Sequence, residues 1–198
     1  MDISEFNDIS IRGRMAYGIC CLERILARDN IRSKDWDFVL NLMWEYTSLP
    51  YDNIEDVRNL DDWDYEAAEC RFGAVENRVQ GGKNVHSRPY DLPDEKFTFV
   101  AKAYKNFQDI YPVAGKIFEV GLAELCGGEK YPGYATSQCL SELLVLIEKT
   151  GIEFPSIEPF KKYAFNVKTY IGSRYSDYAF GTPFDGKKEF SIYFKEQV

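Results

Sequence analysis

Ile11, Met15, Ile19, Leu22 and Leu26 follow one another at steps of four, four, three and four residues. At 3.6 residues per turn this spacing stacks five apolar side chains on one helix face. The start of the chain is thereby committed to an amphipathic helix that must bury that face. A helix is predicted over residues 2–28. Asp2 followed by Glu5 has capping-box spacing, with Asp in place of the usual Ser or Thr. Gly13 and Gly18 lower helix propensity but would let a neighbouring helix approach closely.

The helical period recurs along the chain. Ser33 is a plausible N-cap for a second helix over 34–48, with Trp36, Val39, Leu40, Met43 and Trp44 on its apolar side and Pro50 ending it. A short helix is predicted over 61–71, with Trp63 and Ala67 facing inward. Residues 72–93 carry Gly73, Gly81-Gly82, Pro89 and Pro93 and read as irregular, with a helical turn or two at 74–80. Asp94 can cap a helix over 95–110, and Pro112 either begins a new helix or kinks the old one. Val113, Ile117 and Val120 extend an apolar stripe to Gly127-Gly128. Leu140, Leu143, Leu144 and Ile147 mark a helix over 135–150 that Gly151 can close, and Ser156 can cap a short helix over 157–166.

The last thirty residues change character, with many Tyr and Phe among Gly172, Gly181 and Gly186. Phe184-Asp185-Gly186-Lys187-Lys188 could turn a hairpin into Glu189–Lys195. The expected fold is mainly α: one domain over 1–198, a bundle of about six to seven helices, with a small irregular or β-hairpin element over 171–198 packed on it.

Several chemistries lack their residues. There is one histidine, His86, so a zinc helix with two imidazoles one turn apart is excluded. Serine or cysteine catalysis would have to use His86, which stands in the irregular stretch. Gly82-Lys83 is followed by Asn84, and Asn77 stands where a phosphate-binding loop needs Gly. Gly172-Ser173-Arg174 lacks the second glycine of a nucleophile elbow. Starting from Asp62, an EF-hand would meet Ala67 and Gly73 at its sixth and twelfth positions, where Gly and Glu are required. An Asp-Asp-x-x-Asp metal motif fails at Tyr65. No catalytic residue, metal or cofactor is predicted.

The five cysteines are Cys20, Cys21, Cys70, Cys126 and Cys139. Their odd number and the absence of Cys-x-x-Cys fit reduced, mostly buried thiols. The first residues lack the basic and apolar regions of a signal peptide, and no apolar run is long enough to span a bilayer. A cytosolic protein is expected.

The net charge is −8, a sign that repels phosphate backbones and anionic membranes and leaves a basic protein as the favoured partner. The charge is concentrated. Asp52, Glu55, Asp56, Asp61, Asp62, Asp64, Glu66 and Glu69 are opposed only by Arg58, so this stretch carries −7 and the rest of the chain is nearly neutral. Trp63 and Tyr65 lie inside it, and aromatic anchors within a charged rim are common at binding hot spots. These ten acidic and aromatic residues form the candidate partner-binding face. A solvated helix with acids in its first turn would show the same residues.

The blocks Trp36-Asp37-Phe38-Val39-Leu40-Asn41-Leu42-Met43-Trp44-Glu45-Tyr46-Thr47-Ser48 and Leu60-Asp61-Asp62-Trp63-Asp64-Tyr65 resemble helical immunity proteins encoded beside bacterial polymorphic toxins. The resemblance covers about the first seventy residues. It implies a small cytosolic protein that binds a cognate toxin and blocks it without catalysis of its own. Two other readings stand beside it: a carboxylate-dependent, metal-assisted enzyme, and a structural or adaptor subunit associating through the apolar helix over 135–150.

Overall fold

The computed structural model describes residues 1–48, 94–126, 134–165 and 180–195. Among these the protein is mainly helical, as the periodicity predicts. Six α-helices are present: α1 (Ile11–Arg28), α2 (Lys34–Ser48), α3 (Asp94–Asn106), α4 (Tyr111–Cys126), α5 (Tyr134–Thr150) and α6 (Gly186–Phe190). Two 3-10 turns accompany them, Ile3–Phe6 and Glu158–Phe160.

The predicted first helix is two elements. Asp2 does cap, accepting from the Ser4 amide at 2.9 Å, but it caps the first 3-10 turn rather than α1. The chain then leaves helical geometry because Ile9 forms an antiparallel bridge with Ala164. Ser10 restarts it as the N-cap of α1, its side chain accepting from the Gly13 amide. At the other end Asn30 adopts φ 52°. The Ile31 amide donates to the Leu26 carbonyl and the Asn30 amide to that of Ala27. This is a Schellman closure with Asn in the position glycine usually takes.

α1 is the axis of the structure. It packs against α2, α4, α5, α6 and the second 3-10 turn. Every residue from Ile11 to Glu23 is buried, so the helix has no solvent face over that length. Each fully buried Ile, Leu or Met here contributes about 1.5–3 kcal/mol of transfer free energy. Gly18 makes the crowding feasible: a Cβ there would lie 2.9 Å from Leu143 Cδ2 on α5 and 3.0 Å from Ile117 Cγ1 on α4. The close approach read from the sequence is therefore made at Gly18. Gly13 instead faces Ile9 and the Tyr163 carbonyl.

α2 matches its predicted span, with Ser33 Oγ accepting from the Trp36 amide at 3.2 Å. α3 ends at Asn106 rather than 110. Phe107 accepts from the Ile110 and Tyr111 amides across the corner, and Pro112 stands in the first turn of a separate helix, α4. α4 and α5 share the most extensive helix–helix contact. Gly151 closes α5 with φ +73°, as a C-terminal glycine should. The short helix predicted over 157–166 is, over the described residues 157–165, a three-residue 3-10 turn followed by the bridge at Ala164.

Over the described residues 180–195 the C-terminal element is the irregular alternative with one short helix, not the hairpin. Asp185 accepts from the Lys188 amide at 2.9 Å and caps the five-residue helix α6. The flanking described residues are irregular, and no strand occurs between 180 and 195. Asp before Gly suits a turn and a helix N-cap equally, since both use the same side-chain-to-backbone bond. Contact with α2 selects the cap. A Cβ on Gly186 would sit 2.8 Å from Thr47 Oγ1 and from Trp44 Cζ3.

Candidate functional site

The acidic face predicted from the sequence lies outside the described residues. Asp52, Glu55, Asp56, Asp61, Asp62, Trp63, Asp64, Tyr65, Glu66 and Glu69 all fall within 49–93, as do His86 and the predicted helix over 61–71. The structure does describe how this segment is rooted. In sequence it follows α2, which ends at Ser48, and precedes α3, which begins at Asp94. These two helices pack on each other, with Phe38 stacked on Phe99, and Trp36 lies against Phe107 just past α3.

The last turn of α2 is held from three directions. From α1, Arg12 donates through one nitrogen to the Tyr46 carbonyl at 2.9 Å and the Thr47 carbonyl at 3.0 Å. These carbonyls belong to the final turn of α2, where a cation also complements the helix dipole. From the C-terminal segment, the Phe184 amide donates to the Thr47 carbonyl at 2.9 Å and the Gly186 amide to Thr47 Oγ1 at 3.2 Å. From within α2, Thr47 Oγ1 donates to the Trp44 carbonyl at 2.8 Å. Arg12 and Thr47 are both fully buried.

A second buried polar centre lies further along α1. The Glu23 carboxylate accepts from Trp44 Nε1 at 2.8 Å, Ser191 Oγ at 2.7 Å, the Ile192 amide at 2.7 Å and the Tyr193 amide at 3.1 Å. Four donors on two oxygens match the capacity of an acceptor-only group. Arg12 and Glu23 are eleven residues apart, three helical turns, so both lie on nearly the same side of α1. Both meet α2. A third charge, Arg14, points elsewhere: it donates to Ser137 Oγ on α5 and to the Phe6 carbonyl, with Phe165 5.2 Å away.

None of these three internal charges was singled out from the sequence. The available signal was charge set among small and apolar residues, as in Arg12-Gly13-Arg14. Periodicity alone assigns such charges to the solvent side. Only the burial of α1 on every face reverses that assignment.

Burial also acts on other titratable groups of the described core. Burial pushes the Cys20 and Cys21 thiols and the Tyr17 hydroxyl upward from their ordinary values. Tyr17 donates to the Pro155 carbonyl at 3.1 Å, and Cys20 and Cys21 are free thiols. Lys116 is opposed by burial, but its bonds to Glu119 and Glu142 outweigh that and hold its pKa up. The Glu142 carboxyl is correspondingly lowered by Lys116. Among the described residues, no group of three or more His, Cys, Asp or Glu could hold a metal ion, and no helix is long and apolar enough to cross a membrane.

Two surface grooves flank α5. One, of about 440 Å³, is floored by Ile25, Ile110, Val113 and Leu146 and rimmed by Arg28, Asp29, Asp109 and Lys149. The other, of about 270 Å³, lies between the first 3-10 turn and Val145. Neither brings together a nucleophile, a base and an oxyanion donor.

The fold thus defines a mainly helical protein built around one enclosed helix that carries internal charges. Comparison with protein-family models, curated proteins and solved structures finds no match.

Proposed function

We propose that the chain is a non-catalytic binding domain of the immunity type, acting in the cytosol. It captures a basic protein partner, a toxin domain, on the acidic face between Asp52 and Glu69. One observation carries this reading. A stretch of eight acidic residues and one arginine holds −7 of a net −8. A field concentrated in that way accelerates encounter with a basic surface and fixes its orientation. Trp63 and Tyr65 supply apolar anchors within it. The resemblance of residues 36–48 and 60–65 to immunity proteins supplies the class of partner.

The experiment is an association measurement between this chain and the C-terminal domain of a secreted protein encoded by the neighbouring reading frame. A stable complex that silences that domain's activity is the expected result. Absence of binding across a range of ionic strengths contradicts the proposal.

A further inference from the structure

Glu23 is the one buried carboxylate among the described residues, and three of its four donors come from residues 191–193. We infer that residues 180–195 are a latch with Glu23 as its catch, and that docking of the latch sets the last turn of α2, which in sequence precedes the acidic segment. The functional part of this inference rests on the binding role proposed above for that segment.

The latch holds α1 and α2 at two places. At one, Ser191, Ile192 and Tyr193 donate to Glu23. Beside them Arg32 donates to the Tyr193 carbonyl and lies 4.0 Å from the centre of its ring. At the other, Phe184 and Gly186 donate to Thr47, and α6 seats on α2 with no room for a side chain at Gly186. Trp44 joins the two places: its indole donates to Glu23, and its carbonyl accepts from the Thr47 hydroxyl.

A five-residue helix does not form alone, because nucleation costs more than so few hydrogen bonds return. α6 therefore folds only when it docks, and the segment behaves as one cooperative unit. Release would leave Glu23 with Trp44 as its remaining donor. It would also remove two of the bonds that fix Thr47. Loosening at Glu23 and loosening at the end of α2 are thus the same event. Glu23 acts as a positioning residue for the root of the acidic segment, through Trp44 and Thr47.

The test is amide hydrogen exchange on the full chain and on two variants, Glu23→Gln and Ser191→Ala. Gln replaces one acceptor oxygen with an NH2 group that faces the donors. Ser191→Ala removes a single donor and serves if the first variant does not fold. In either variant, exchange should rise about tenfold or more over residues 186–193 and, together with it, over 42–48. Residues 113–121 of α4 and 140–147 of α5 should exchange as in the parent. Three results overturn the latch: faster exchange over 186–193 with 42–48 unchanged, an equal rise everywhere, or no change. This readout needs no partner. A failed latch therefore leaves the acidic interface standing, and a failed interface leaves the latch standing.

Discussion

Trp44 donates its indole N–H to the Glu23 carboxylate at 2.8 Å, with both side chains closed off from solvent. A buried carboxylate is tolerable only while its oxygens are bonded, so the pair ties α2 to the middle of α1. Trp44→Phe keeps much of the apolar volume and removes the donor. It should cost about 1–3 kcal/mol in urea unfolding followed by circular dichroism. A cost near zero would mean that Glu23 does not depend on the indole.

Arg12 gives the opposite charge the same kind of role, one turn further toward the end of α2. Arg12→Met leaves the Tyr46 and Thr47 carbonyls short of a donor inside the protein. It should destabilise by about 2–4 kcal/mol, seen as a lower midpoint in thermal unfolding. Arg12→Lys keeps the charge without the planar fork and should recover only part of the loss.

Gly18 tests the packing of α1 directly. Gly18→Ala places a methyl 2.9 Å from Leu143 Cδ2 and 3.0 Å from Ile117 Cγ1. Despite the better helix propensity of Ala it should lower stability by about 1–3 kcal/mol in denaturant unfolding. Gly151→Ala should cost about 1 kcal/mol for a different reason, the left-handed backbone at φ +73°. Gly151→Asn should cost less.

Much of the helical layout was legible in the sequence, and the exceptions share one physical cause. α2 was placed at 34–48 because Ser33 and the apolar period of Trp36, Val39, Leu40 and Met43 are local signals. Gly151 was read correctly for the same reason. The division of the first helix at Ile9 was not legible, because Ala164 imposes it from 155 residues further along. Asp185-Gly186 could be read as a hairpin turn or a helix start, and Trp44 and Thr47 decide between them. Arg12 and Glu23 carry no signal of burial in the periodicity, which describes one face at a time, whereas α1 is covered on all between Ile11 and Glu23. The acidic face between Asp52 and Glu69 stands on sequence alone, since the described residues stop at its root, Ser48.

The buried thiols give a pH-dependent expectation. Burial raises the Cys20 and Cys21 pKa values above the usual 9.0, because the interior penalises thiolate. The folded protein should therefore hold little thiolate at either site at pH 8, and both should react with an aromatic disulfide reagent only at the rate of unfolding. The sign for stability follows from the same shift. The neutral thiols' contribution is fully present below about pH 9 and is lost as pH rises through the higher folded values. Rapid labelling of either cysteine in the native state would contradict their enclosure.

The most direct test of the central claim is the association rate constant with the neighbour-encoded basic domain, measured from low to high salt. Asp61, Asp62, Asp64 and Glu66 would be replaced together by Asn or Gln. If the acidic face steers the partner, the parent associates fast at low salt and slows steeply as salt screens it. The quadruple variant then associates at least about tenfold more slowly at low salt, with a flatter salt dependence. Equal rates and equal salt slopes for parent and variant would contradict the account.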